Sequence, residues 1–132
     1  MESIQTVGRR KTSVARALVK KGTGKIVINN KESKSYFPSM VLHARVTQPL
    51  VKLDCLAKYD IQINVNGGGI TGQSEAIRLA IARAMVKAVV GDTAATIKTL
   101  REDGLLTRDA RKVERKKPGQ KKARKRFQFT KR

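Results

Sequence analysis

Apolar residues recur at every second position in Asp60-Ile61-Gln62-Ile63-Asn64-Val65-Asn66, the clearest strand pattern of the chain. Such alternation turns Ile61, Ile63 and Val65 toward a core and the intervening polar residues away from it. Val14 to Lys20 and Lys25 to Ile28 are further β-rich runs. The glycines of Lys21-Gly22-Thr23-Gly24 between them permit a tight turn, so the two runs are expected to form a hairpin. Ile4 to Val7 predicts a short strand ending at Gly8, with Arg9-Arg10-Lys11 in a loop. The spacing then becomes helical. Pro38 suits a first helical turn, and Met40, Val41, Ala44, Leu50, Val51, Leu53 and Leu56 supply an apolar face on either side of Pro49. Pro49 is expected to divide that region into two helical pieces. Ser74 to Val90 predicts a long helix whose alanines permit close packing on a sheet, with Arg83 and Lys87 four apart on an exposed face. A further helix is expected from Thr93 to Asp103, closed by Gly104 as a left-handed cap with Leu105 beyond it. The body is thus expected to mix α and β structure.

The patterning ends near residue 107. Beyond it, residues 108–132 hold thirteen Lys or Arg against two acids, Asp109 and Glu114. Too few apolar groups stand there to offset the entropy of ordering, so the segment is expected to stay disordered until it meets a polyanion. The organisation read from this is a globular body, 1–107, and an extended basic tail, 108–132. The whole chain carries 30 bases, 10 acids and a formal charge of +20, and the body is basic as well. A nucleic acid touching both parts fits this better than an anionic membrane. No run approaches the roughly 18 apolar residues of a spanning helix, and no apolar signal region opens the chain. Cys55 stands alone, without a disulfide partner or a second thiol for zinc, which suits a reducing cytosol and a small core residue.

Gly67-Gly68-Gly69-Ile70-Thr71-Gly72-Gln73-Ser74 joins the alternating strand to the long helix. It imitates a dinucleotide fingerprint, with Asp92 twenty residues beyond Gly72. An acid that follows the helix directly, with no later strands, does not fit that fold. It also imitates a P-loop, but Gln73 occupies the position of the lysine that would hold the terminal phosphates. Two readings stay open: a ligand-free strand-to-helix turn, or backbone N–H groups at a helix start offered to an RNA phosphate. Gly69-Ile70-Thr71-Gly72 is also the Gly-x-x-Gly of KH modules, although those loops join two helices. His43, the only histidine, lies in an apolar helical segment and is read as structural. The acids form no paired constellation, so neither catalysis nor a metal site is expected.

Three segments together resemble a known family: Gly8 to Arg16, Gly67 to Gln73, and Leu106 to Lys117, with the ending Phe129-Thr130-Lys131-Arg132. They are similar to the bacterial type of the small-subunit ribosomal protein S-nine family, in order and in spacing, essentially from residue 4 to 132. The resemblance implies an α+β body with a mixed sheet and packed helices, like the second domain of ribosomal protein S-five and containing a left-handed βαβ unit. It implies a non-enzymatic, cytoplasmic component of the ribosome without a cofactor, a membrane or a homo-oligomer. Its partners would be the rRNA of the subunit head (the 3′ major domain), neighbouring small-subunit proteins, and the anticodon stem-loop of peptidyl-site tRNA. Carried over by motif, Arg9, Arg10, Lys11 and Arg16 would contact rRNA, and Gly67, Gly68, Gly69 and Gly72 would pack closely on RNA or neighbouring backbone. Arg108, Arg111, Arg115, Lys116 and Lys117 would begin the tail's path through rRNA. Lys121, Lys122, Arg124, Lys125 and Arg126 would continue it, and Phe129, Thr130, Lys131 and Arg132 would meet tRNA. Phe127 and Thr130 replace a proline and a serine common in the family, which changes the freedom of the last segment.

Overall fold

The computed structural model describes residues 3–53, 57–88, 93–102, 104–107 and 118. Strands β1 (Ile4–Arg10) and β2 (Ser13–Lys21) form an antiparallel hairpin. Strand β5 (Tyr59–Asn66) pairs antiparallel with the other side of β2. Next to β5 lies β3 (Ile26–Ile28), parallel to it, and the two-residue β4 (Lys31–Glu32) closes that edge. The five-stranded order is β1-β2-β5-β3-β4. The expected hairpin between β2 and β3 is therefore not formed, because β5 lies between them. The linking segment is held to the start of β5: Asp60 Oδ1 accepts the N–H groups of Thr23, Gly24 and Lys25 at 3.0, 3.2 and 3.0 Å. Glycine spacing marked the chain reversal, but the tight turn expected there is replaced by a link that spans β5.

The first strand also departs from expectation. It runs through Gly8 to Arg10, so Arg9 and Arg10 are strand residues and only Lys11 and Thr12 turn. Gly8 does not end the strand. It lets β1 lie directly on a helix, where a Cβ would stand 2.1 Å from the Ala76 carbonyl oxygen.

Among the described residues there are four helices, α1 (Ser33–Tyr36), α2 (Met40–Lys52), α3 (Ile70–Ala88) and α4 (Thr93–Glu102), of which α1 was not expected from the sequence. Pro38 precedes α2 rather than starting it, and Pro49 does not divide it. Pro49, lacking an N–H, forgoes the bond to the Arg45 carbonyl, but Leu53 N–H still reaches the Pro49 carbonyl at 3.1 Å. The buried stripe of α2 is Val46, Thr47, Pro49 and Leu50, whereas Met40 is 88 % exposed and Val41 and Val51 are exposed too. Helix α3 begins at Ile70, four residues before the expected start, and takes Gly72 into its first turn. The end of α4 is as expected: Gly104, at φ +67°, and Leu105 donate to the carbonyls of Arg101 and Leu100, both at 3.0 Å. That bond pair, with Leu105 buried against Leu100 and Ala82, is a Schellman closure.

The core lies between the sheet and α3. Ala15, Ala17, Val19, Ile28, Ile61 and Ile63 face Ala76, Ile77, Ala80, Ile81, Ala84 and Met85. Alanines at that contact let helix and sheet approach closely, and buried Thr6 donates its hydroxyl to the Ala80 carbonyl at 2.7 Å. Helix α3 packs on β1, β2 and β5, and α2 and α4 pack on α3. The body is an α+β structure whose mixed sheet is covered by described helices on one face only. Cys55, Leu56, Asp92 and all of 108–132 except Pro118 lie outside the described residues.

Candidate nucleic-acid interface

Strand alternation divides the basic cluster. Arg9 is exposed, and Lys11, in the left-handed region at φ +54°, projects from the turn. Arg10 points inward and is 7 % exposed, with its Nε 2.5 Å from Glu75 Oε2. Glu75 also lies 3.8 Å from Arg45 Nη1, so one carboxylate of α3 ties β1 and α2 to itself. Burying a guanidinium is tolerable only with such a partner. Arg16, exposed on β2, stands between Val7 and Asn64 in the strand register and shares the uncovered face with Arg9.

The glycine-rich segment lies against this turn. Gly67 and Gly68 adopt φ +78° and +63°, and Cβ atoms there would meet the Thr12 carbonyl oxygen at 2.4 Å and Ser13 Oγ at 2.2 Å. Gly72, in the first turn of α3, faces Ser13 Oγ at 3.1 Å from its notional Cβ. These three glycines serve close contact with the protein's own β1–β2 turn. Around Gly69, by contrast, the space is open. The Gly67 carbonyl accepts from Ser13 Oγ at 2.9 Å and from Gln73 Nε2 at 3.1 Å. Gln73 in turn accepts from the Tyr36 hydroxyl at 2.6 Å. The side chain at the position of a P-loop lysine is thus a brace for the loop. Asn29, at φ +49°, extends the bracing by exchanging hydrogen bonds with the backbone of Val65, at 2.8 and 2.9 Å.

What emerges is one rigid corner. Exposed Thr12 sits beside Gly67 and Gly68, with exposed Lys11 next to it in the turn, and Gly69 leads into the start of α3, where the first backbone N–H groups have no partner within the helix. Positive charge, a helix N-terminus and an open glycine make a corner suited to phosphate oxygens. Elsewhere, His43 Nε2 is 3.1 Å from Ser33 Oγ, the structural role expected of it. Among the described residues no cluster of His, Cys, Asp or Glu could hold a metal ion, and no helix is long and apolar enough to cross a membrane. Glu75, Gln73 and Asn29 were not legible as site-building residues, because their partners are distant in sequence. Arg83, read only as a surface base, donates from Nη1 to the Val7 carbonyl on edge strand β1 at 2.8 Å.

Residues 8–132 match the family described as ribosomal protein S9/S16. This chain belongs to that family. It is 60 % identical to the small ribosomal subunit protein uS9 of Porphyromonas gingivalis over 132 residues, all of both chains. Those of Phocaeicola vulgatus and Bacteroides thetaiotaomicron are 58 % and 57 % identical, again over the full length of both. As a member of the ribosomal protein S9/S16 family the chain is a structural, non-enzymatic constituent of the small ribosomal subunit, working in translation. The family match includes the basic segment 108–132, although the tail positions named above lie outside the described residues.

Proposed function

We propose that the body, 1–107, binds the rRNA of the subunit head, in its 3′ major domain, through the corner built from the β1–β2 turn and the start of α3. Arg9, Lys11 and Arg16 take phosphates, and Gly69 leaves room for the backbone to approach. Arg10, held by Glu75, fixes the turn from inside. The carrying observation is the division of one basic cluster into outward Arg9 and Lys11 and an inward, paired Arg10. Basic tail residues from Arg108 to Arg126 thread rRNA, and Phe129, Thr130, Lys131 and Arg132 meet the anticodon stem-loop of peptidyl-site tRNA. Neighbouring small-subunit proteins complete the surroundings. We assign the left hand expected of likeness to the second domain of S-five to the connection through β4, α1 and α2 between the parallel strands β3 and β5.

Two measurements test this. Changing Arg9 and Lys11 to glutamine should flatten the salt dependence of rRNA binding by nearly one unit per lost phosphate contact, without changing thermal unfolding. An unaltered slope would remove the corner from the interface. Deleting Lys131 and Arg132 should speed tRNA dissociation from the peptidyl site while the protein stays in the subunit. Unchanged dissociation would refute the tip's role.

A further inference from the structure

The face of the sheet opposite α3 carries rows of side chains fixed by the strand register. One row is Arg9, Val14 and Asn66; the next is Val7, Arg16 and Asn64; the third is Gln5, Leu18 and Gln62. No described helix lies over them. Arg9, Arg16, Gln5, Gln62, Asn64 and Asn66 are exposed, while Val7, Val14 and Leu18 are half-buried between them. A shallow hollow of about 240 Å³ opens among Gln5, Arg16, Leu18, Gln62 and Asn64. On β1, β2 and β5 these rows contain no acid, although the third continues through Val27 on β3 to Glu32 on β4. Asp60, in the row beyond, has its carboxylate engaged by three backbone N–H groups, and Glu32 stands at the far edge on β4.

The chemistry of this face is specific. Neighbouring rows are roughly 7 Å apart and neighbouring strands about 5 Å apart, so it is a flat grid of amides and two guanidinium groups over low apolar ground. A sheet that reads single-stranded RNA does so by stacking bases on aromatic rings. The aromatic side chains among the described residues, Tyr36, Phe37 and Tyr59, all pack on the opposite, core side. Amides both donate and accept, matching the 2′-hydroxyls displayed along the wide, shallow minor groove of an A-form helix, and Arg9 and Arg16 suit its flanking phosphates.

We infer that the open sheet face docks the minor groove of an RNA duplex, with Gln62 and Asn64 on 2′-hydroxyls and Arg16 on the backbone. This rests on the rRNA-binding reading above and specifies a second contact and its form. The full-length chain is titrated with a short mixed-sequence RNA duplex, its all-deoxy counterpart and one RNA strand alone, and separately with small-subunit rRNA. The wild type prefers the RNA duplex to both others. Substituting Gln62→Ala with Asn64→Ala lowers that preference roughly tenfold and leaves the salt slope intact. Arg16→Gln lowers the slope by about one phosphate contact, and its thermal unfolding serves as the folding control. If Gln62→Ala with Asn64→Ala keeps the wild-type preference while rRNA still binds, this face carries no duplex and the inference falls alone. Equal affinity of the wild type for single strand and duplex overturns it as well. Failure of the wild type to bind rRNA is the separate result that defeats the underlying reading.

Discussion

At the scale of single residues, space and charge set separate demands. Gly8 is needed for contact rather than for conformation, since its notional Cβ is 2.1 Å from Ala76 O and 2.5 Å from Ala80 N, both backbone atoms that cannot rotate aside. Gly8→Ala should destabilise the body by on the order of 1–3 kcal/mol, measured by denaturant unfolding, through displacement of β1 from α3. Asp60 presents the electrostatic case. Hydrogen bonds from the backbone N–H groups of Lys25 and Thr23 hold its carboxyl below the ordinary value of 3.8. A folded value below the unfolded one stabilises above the unfolded value, and the gain disappears as pH falls through the folded value. Asp60→Ala should therefore weaken the fold at neutral pH, and its difference from wild type should narrow as pH falls below 3.8. A stability gap that stays constant through that acid range would show that the carboxylate's charge is irrelevant to the clamp.

At the scale of elements, Gly104 and Gly67 separate conformational strain from lack of room. Both adopt positive φ, +67° and +78°, but Gly104 has nothing within 4 Å of a notional Cβ, while Gly67 faces Thr12 O at 2.4 Å. Gly104→Ala should cost about 1–2 kcal/mol for the left-handed backbone alone. Gly67→Ala should cost more and also weaken rRNA binding, since it pushes the β1–β2 turn away from the start of α3. Equal effects of the two on unfolding would count against close packing at the corner. The same contrast explains what could be read in advance. β5, α4 and the Gly104 cap depend on local periodicity and cap chemistry, so the sequence alone revealed them. Arg10 could not be told from Arg9, because its buried pairing with Glu75 joins residues 65 positions apart. Nor could the survival of α2 through Pro49, which is buried in the same stripe as Val46 and Leu50. The glycine-rich segment offered several ligands by letter, and only the approach of Thr12 and Ser13 shows what Gly67 and Gly68 accommodate.

For the whole molecule, charge is spread over two regions of different character. Of the +20 total, residues 108–132 contribute +11, thirteen bases less two acids, and residues 1–107 the remaining +9. Removing 108–132 should flatten the salt dependence of rRNA binding by several phosphate equivalents and leave the thermal unfolding of the body unchanged. A large loss of stability on truncation would instead mean that the tail belongs to the fold. The order β1-β2-β5-β3-β4 bears on how this scaffold is made. Synthesis delivers β2 and β3 well before β5, the strand that must lie between them, so the nascent chain has to leave a gap in its own sheet. Premature pairing of β2 with β3 is the obvious error, and the Asp60 clamp on Thr23, Gly24 and Lys25 does not exist until β5 arrives. Closure of the sheet is thus the long-range step that limits the folding rate. Ile63→Val should slow refolding as well as lower stability, whereas Leu105→Ala, at the far end of α4, should mainly speed unfolding. The strand most legible in the sequence is the one whose arrival turns two waiting segments into a single sheet.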